Sequence, residues 1–299
     1  MITLFSTTKN FDGINRSNQL NAIRCWLSAS CNPQVIIFGK SVGYESLGNH
    51  PNLFFTEPVR LTETGAPYGN EMFDTVNKIT KHPICCYVNA DILLPSKFFE
   101  SVQYLHEKLK KNYLLVGERL DVTVREEINF SNDWEKQFFS KYESSMKVHP
   151  PAGSDFFVFP KGQYTYSNMP VFYIGRGGWD NRMIYIARKK KYKVVDLTSS
   201  VRVIHQNHDY SHKAHPHQSV LEKIEIAENR KGVPHTFVSM DTLGACNYFF
   251  FNNRLKKNYT RGDLNTYASI QMSLGEYNFL TRVQVKILRL LVNRKNILF

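Results

Sequence analysis

The chain has 299 residues, 42% of them apolar, and a formal net charge of +12, which allows a proper core in one large domain or two small ones. Five cysteines, with Cys85 and Cys86 adjacent and no Cys-x-x-Cys spacing, speak against a disulfide framework or a thiolate zinc site and for a reducing compartment. The N-terminus lacks a basic start followed by a long apolar run, and no stretch of about 18 consecutive apolar residues occurs, so the sequence reads as cytoplasmic with no membrane span.

In chain order, residues 2–6 read as a short buried strand. Residues 17–28 read as a helix with Leu20, Ile23 and Leu27 on one face. Strands are expected at 35–38, closed by Gly39, and at 53–55. A turn at Gly65-Ala-Pro67 precedes a helix through Met72, Val76 and Ile79. The strand at 84–88 delivers Asn89 and Asp91 to its exit, a helix follows over 95–109 with Pro95 in its first turn, and 113–116 is a further strand. Strands alternating with helices at this spacing predict a parallel, doubly wound α/β sheet. After about residue 120 the pattern is less regular, with Phe156-Phe-Val-Phe159, a helix over 182–190 and a strand over 201–204.

Nine Lys or Arg against two acids fall between Arg254 and Phe299, so the positive charge is concentrated in the tail. The tail ends in an amphipathic helix over 278–293. Leu280, Val283, Ile287, Leu290 and Leu291 share one face, and Arg282, Lys286, Arg289 and Asn293 share the other. That pattern fits a last helix packed on the domain, or docking on an anionic membrane surface.

Ligands of open α/β sheets collect beyond the carboxyl ends of the strands, and a carboxylate there, such as Asp91, suits a divalent cation holding a diphosphate. The same residue type also serves as a turn former or helix cap. Val201-Arg-Val-Ile-His-Gln-Asn-His208 brings His205 and His208 to another strand end, whereas His212, His215 and His217 read as loop histidines. In Ile174-Gly-Arg-Gly-Gly-Trp-Asp-Asn-Arg182 the glycines, Gly177 and Gly178 among them, permit close backbone approach. Trp179 offers a flat face to a sugar, and Asp180 is either a general base or a helix cap. Asp155, in Gly153-Ser-Asp-Phe-Phe157, either holds sugar or acceptor hydroxyls or closes a turn. The 13% aromatic content fits stacking surfaces as well as ordinary packing.

The order of strand-end acid, Gly-Ser-Asp-Phe-Phe-Val-Phe-Pro, Gly-Arg-Gly-Gly-Trp-Asp-Asn and His-Gln-Asn-His-Asp-Tyr-Ser-His resembles the GT-A-fold, nucleotide-sugar-dependent glycosyltransferases of the family-2 type. The resemblance runs from residue 1 to about residue 215 and takes in Gln19-Leu-Asn-Ala22 and Thr64-Gly-Ala-Pro67 at the nucleotide pocket. It implies a GT-A (Rossmann-like) mixed, mainly parallel sheet flanked by helices over residues 1–235, with a basic, mostly helical C-terminal extension over 236–299. It also implies an inverting hexosyl- or deoxyhexosyltransferase that takes a nucleotide-sugar, a UDP-sugar first, and acts on a glycan or lipid-linked acceptor. Asp91 would bind Mn²⁺ or Mg²⁺ on the donor diphosphate, with His205 or His208 completing the cation site. Asn89 takes the place of the first acid of the Asp-x-Asp motif, and Asp180 would be the base. Thr7, Lys9, Arg16, Gly65 and Pro67 would sit near the nucleotide. Gly39-Lys40 stands where many such enzymes carry an acid that reads the base. A nucleotidyltransferase would favour two metal-binding acids where Asn89 and Asp91 stand. A basic module for membrane or nucleic acid would rest on the tail charge and the aromatics, whereas the acid and histidine motifs lie elsewhere, and no nucleic acid is expected.

Overall fold

The computed structural model describes residues 1–131, 133–151, 154–208, 219–233, 242–258, 261–274 and 278–295. The first half follows the expected alternation. It runs β1 (Ile2–Thr7), α1 (Gly13–Leu27), β2 (Gln34–Phe38), β3 (Leu53–Thr56), α2 (Gly69–Ile79), β4 (Ile84–Val88), β5 (Ile92–Leu93), α3 (Ser96–Leu109) and β6 (Tyr113–Val116). Then come β7 (Arg119–Val122), α4 (Trp134–Tyr142), β8 (Lys147–Val148), β9 (Phe156–Pro160), α5 (Trp179–Lys189), β10 (Lys193–Asp196) and β11 (Val203–Gln206). The last elements are α6 (Val220–Arg230), β12 (Tyr248–Phe251), β13 (Arg254–Lys257), α7 (Arg261–Ser273) and α8 (Phe279–Lys295).

Nine strands form one sheet in the order β13-β12-β10-β6-β9-β4-β1-β2-β3, and β5-β11-β7-β8 form a second. Pairings of the large sheet are parallel except those of β9 with β4 and β6 and of β12 with β13. The sheet is therefore mixed rather than wholly parallel. All five residues of β4 and of β9 are buried, as strands covered on both faces require. Their side chains alternate between two apolar layers. Ile84, Cys86, Val88, Phe156 and Val158 face the layer shared with α1 and α3, while Cys85, Tyr87, Phe157 and Phe159 face the one shared with α2 and α5.

Strand direction is what builds the site. Because β9 runs antiparallel to β4 with Phe156 opposite Val88, the residue before β9, Asp155, lands beside the residue after β4, Asn89. In the second sheet β11 lies between β5 and β7, with His205 opposite both Ile92 and Asp121. That register sets His205 against the Asp91 corner.

Past residue 235 the chain was expected to be mostly helical, yet it also supplies β12, which joins the edge of the large sheet through β10, and β13 beyond it. The tail helix α8 packs against α7, and its Thr281 and Val285 are buried. Phe279, Leu280, Val283 and Ile287 are exposed, so the apolar stripe seen in the sequence does not cover the domain. The side chains of Arg289, Leu290, Leu291 and Asn293, and all of His212, His215 and His217, lie outside the described residues.

One glycine is fixed by packing. A Cβ at Gly69 would stand 2.1 Å from Cε2 of Phe172, whose carbonyl accepts the Gly69 amide at 2.8 Å. Gly69→Ala should therefore cost about 1–3 kcal/mol by overpacking, read as a lower denaturant midpoint with an unchanged slope. Leu in place of Phe172 in the same chain should recover part of that loss.

Candidate active site

A cleft of about 680 Å³ opens where the strand ends converge, a size usual for small-molecule sites. Thr7, Lys9, Gly65, Pro67, Asn89, Asp91, Asp155, Trp179, His205 and His208 all line it. Arg16, Gly177, Gly178 and Asp180 do not. Arg16 is turned outward onto Glu127, 2.6 Å away, which it shares with Arg24.

Lys9 is held by its backbone. Its amide donates to Oε1 of Gln19 at 2.7 Å, and Nε2 of Gln19 donates to its carbonyl at 3.1 Å. Gln19 belongs to a face of α1 that is polar yet buried, with Asn18 and Asn21. Asn21 donates to Oε1 of Gln206 at 2.9 Å, and Nε2 of Gln206 reaches the carbonyls of Asn18 and Asp91 at 2.9 and 3.1 Å. Gln206, fully buried, is thus the tie between α1, β11 and the Asp91 corner. Oδ1 of Asn18 is buried with no hydrogen-bond partner among the described residues, and its residue lines the cleft.

Oδ2 of Asp91 lies 3.6 Å from Nε2 of His205 and 3.5 Å from Nε2 of His208. These are long for hydrogen bonds. They suit ligand atoms around one ion, where donors at about 2.1 Å from a cation stand roughly 3–3.5 Å apart. One donor atom from each of the three residues falls within 4.8 Å of the others. Oδ1 of Asp91 is buried without a partner among the described residues, a costly state for a carboxylate oxygen that a cation would relieve. The three residues fit a divalent ion. Burial alone would push the Asp91 carboxyl up, but the imidazoles of His205 and His208 hold it well below the usual carboxylate range. In return Asp91 raises the His205 imidazole against the opposing effect of burial.

Asn89 departs from the acid expected at its position, and the structure gives the reason. Its Nδ2 donates to Oδ1 of Asp155 at 2.7 Å, its Oδ1 accepts from the Tyr87 hydroxyl at 2.8 Å, and its backbone amide donates to the Asp155 carbonyl at 2.9 Å. The amide side chain is engaged by Asp155 and Tyr87, so Asn89 positions a neighbour at the wall of the cleft. The other carboxylate oxygen of Asp155 pairs with Nη1 of Arg119, a residue not singled out in the sequence.

Trp179 starts α5 and is only 8% exposed. One face stacks on Phe172, with ring planes 8° apart and centroids at 6.0 Å, and Tyr87 and Phe157 close in at 5.1 and 4.9 Å. The ring is a core anchor that leaves the cleft little surface, not a free stacking platform. Gly178 caps α5 at φ +93°, where a Cβ would also stand 3.0 Å from Cγ of Arg230, so the sharp entry to the helix needs glycine. Asp180 follows in the first turn of α5. Desolvation, reinforced by the Asp155 charge, raises its carboxyl against the backbone N–H groups that stabilise the anion. Arg176 of the same glycine-rich segment donates to Oε2 of Glu225 at 2.6 Å and to Oγ1 of Thr64 at 2.8 Å. That clamp joins the Thr64-Gly-Ala-Pro67 turn, the Gly-Arg-Gly-Gly segment and α6 into one wall.

Asn89→Asp should place two carboxylates in contact and destabilise the fold by about 1–3 kcal/mol. Adding Asp155→Asn, which restores the donor–acceptor pair with roles exchanged, should recover most of the thermal midpoint. A single variant as stable as the parent at neutral pH would refute the pairing.

No family model matches the sequence, and no curated protein matches it significantly. Among solved structures it is similar to S. aureus TarS 1–349 in complex with UDP-GlcNAc, with a TM-score of 0.50 and 10% identity over 96% of this chain and 83% of that one. Another structure of S. aureus TarS 1–349 gives a TM-score of 0.46 and 9% identity over 91% of this chain and 80% of that one. At such identity the likeness is one of fold: the chain has the mixed, mainly parallel α/β architecture of the TarS glycosyltransferase.

Proposed function

We propose that the protein is a glycosyltransferase that moves a hexosyl or deoxyhexosyl group from a nucleotide-sugar, a UDP-sugar first, to a hydroxyl of a glycan or lipid-linked acceptor with inversion. The observation that carries this reading is the convergence of Asp91, His205 and His208 at the strand ends of a cleft. It is supported by the fold shared with TarS, one of whose structures holds UDP-GlcNAc.

Asp91, His205 and His208 would hold the divalent ion, and two imidazoles favour Mn²⁺ over Mg²⁺, which prefers oxygen ligands. When bound, such an ion offsets the negative charge that gathers on the departing nucleoside diphosphate. Lys9, its backbone held by Gln19, would bring its ammonium to the donor side of the cleft. Asp180, outside the lining itself but next to the cleft-lining Trp179, would take the proton of the attacking hydroxyl. Its upward-shifted carboxyl makes it a stronger base than an ordinary aspartate.

Screening UDP-, GDP- and dTDP-sugars for nucleotide release, with and without Mn²⁺, tests the assignment. Release from none of them in the presence of acceptor glycans would refute it. Asp180→Asn should keep nucleotide binding and lower turnover by about two to four orders of magnitude. In the parent enzyme the acid limb of the rate profile should lie above the normal carboxylate value of about 3.9, because a raised base loses its charge earlier as pH falls. The same shift means that ionised Asp180 costs stability once pH exceeds the unfolded value. The Asn variant should therefore melt no lower than the parent at pH 7, whereas a helix-capping role for Asp180 would lower it.

Peripheral membrane contact through α8 belongs to the same reading. Among the described residues no helix is long and apolar enough to cross a membrane. The outward stripe of Phe279, Leu280, Val283 and Ile287 runs beside Arg282 and Lys286, and no acid occurs after Glu276. That combination suits an anionic interface. Leu280→Glu with Ile287→Glu should abolish sedimentation with phosphatidylglycerol vesicles, and binding that ignores both the substitutions and added salt would contradict the assignment.

A further inference from the structure

The two ring nitrogens of His205 have different surroundings. Nε2 faces Oδ2 of Asp91 at 3.6 Å. Nδ1 lies 2.9 Å from Oδ1 of Asp121, the residue opposite His205 on the parallel neighbour β7. An ionised carboxylate can only accept, so Nδ1 carries the hydrogen and the lone pair of the neutral ring is left on Nε2. His205 is 3% exposed, which leaves its ring little freedom to reorient.

Asp121 is itself held on more than one side. Nε of Arg119 donates to its Oδ1 at 2.9 Å, and Nδ1 of His149 lies 2.8 Å from its Oδ2. Arg119 continues to Asp155, and Asp155 to Asn89. The carboxylate is thus committed to its neighbours and stands behind His205, away from the Asp91–His205–His208 cluster. Neither the sequence motifs nor the proposed reaction gives it a task.

We propose that Asp121 is the positioning residue of the cation site: it fixes the tautomer and the ring plane of His205 so that Nε2 is presented as a ligand, with Arg119 and His149 locking the carboxylate from behind. The inference rests on the cation reading of Asp91, His205 and His208. Outer carboxylates of this kind typically govern metal affinity by about 10–100-fold. An amide at the same place can donate to Nδ1 as readily as it accepts, and so permits the wrong tautomer.

The test is a Mn²⁺ titration of the full chain, without donor, followed by the electron paramagnetic resonance of free Mn²⁺ in the parent, Asp121→Asn and Asp91→Ala proteins. The expected result is a loss of affinity of about 10–100-fold in Asp121→Asn, with thermal midpoints in EDTA close to the parent, and no specific binding in Asp91→Ala. A folded Asp121→Asn protein that binds Mn²⁺ like the parent, while Asp91→Ala does not, overturns the positioning role and leaves the cation site standing. Equal binding by the parent and Asp91→Ala removes the cation site and this inference together. Should Asp121→Asn fail to fold, imidazole ¹⁵N spectra of the metal-free parent, at a pH where the ring is neutral, decide the matter. A proton on Nδ1 of His205 supports the inference, and a proton on Nε2 overturns it.

Discussion

Four carboxylates, those of Asp91, Asp121, Asp155 and Asp180, crowd the strand ends on one side of this fold, and their compensation is the constraint on which the rest depends. A buried charge left unpaired costs several kcal/mol, enough to undo much of a domain's net stability. Each acid has a different solution. Asp121 and Asp155 share Arg119 between them, and Asp155 takes the Asn89 amide as well. Asp91 has two imidazoles and one oxygen with no partner among the described residues. Asp180 has backbone N–H groups and remains raised. Of these, Asp180 keeps a raised carboxyl, and it is the acid that the proposed reaction uses as its base.

Those partners arrive through strand order. Reversing β9 between β4 and β6 brings Asp155 to Asn89, and threading β11 between β5 and β7 brings His205 to Asp91 and Asp121 at once. Local turns would not achieve this, since the residues concerned lie 66 and 84 positions apart in the chain. The aromatic layer beneath the cleft, with Phe5, Phe73, Tyr87, Phe157, Phe172 and Trp179 in mutual contact, gives the strand ends a rigid base. Sites held on sheets and packed rings keep their geometry better than sites on loops.

The elements of the first half were legible because buried parallel strands read as continuous apolar runs and their helices as apolar stripes. The direction of β9 was not, because Phe-Phe-Val-Phe reads the same in either sense. The second sheet was largely missed: Arg119-Leu-Asp-Val122 carries two charges over four residues, and they point to each other only once the strands pair. Asp91, His205 and His208 were found from strand-end position and a long motif. Asp121, Arg119 and His149 have no motif and come together only in space. Gln206 and Asn18 left a signal that could have been read, since side-chain amides must find partners when buried. The burial of Trp179 was not legible, because a sequence does not show that Phe172 already lies on its face.

The central claim is that Asp91, His205 and His208 join a divalent ion to a nucleoside diphosphate in this cleft. Calorimetric titration of UDP into the parent protein, with and without Mn²⁺, tests it most directly. The account predicts that Mn²⁺ tightens UDP binding by about tenfold or more, the usual scale of coupling between two ligands, and that Asp91→Ala abolishes the difference. Equal UDP affinity with and without Mn²⁺ in the parent protein would contradict it.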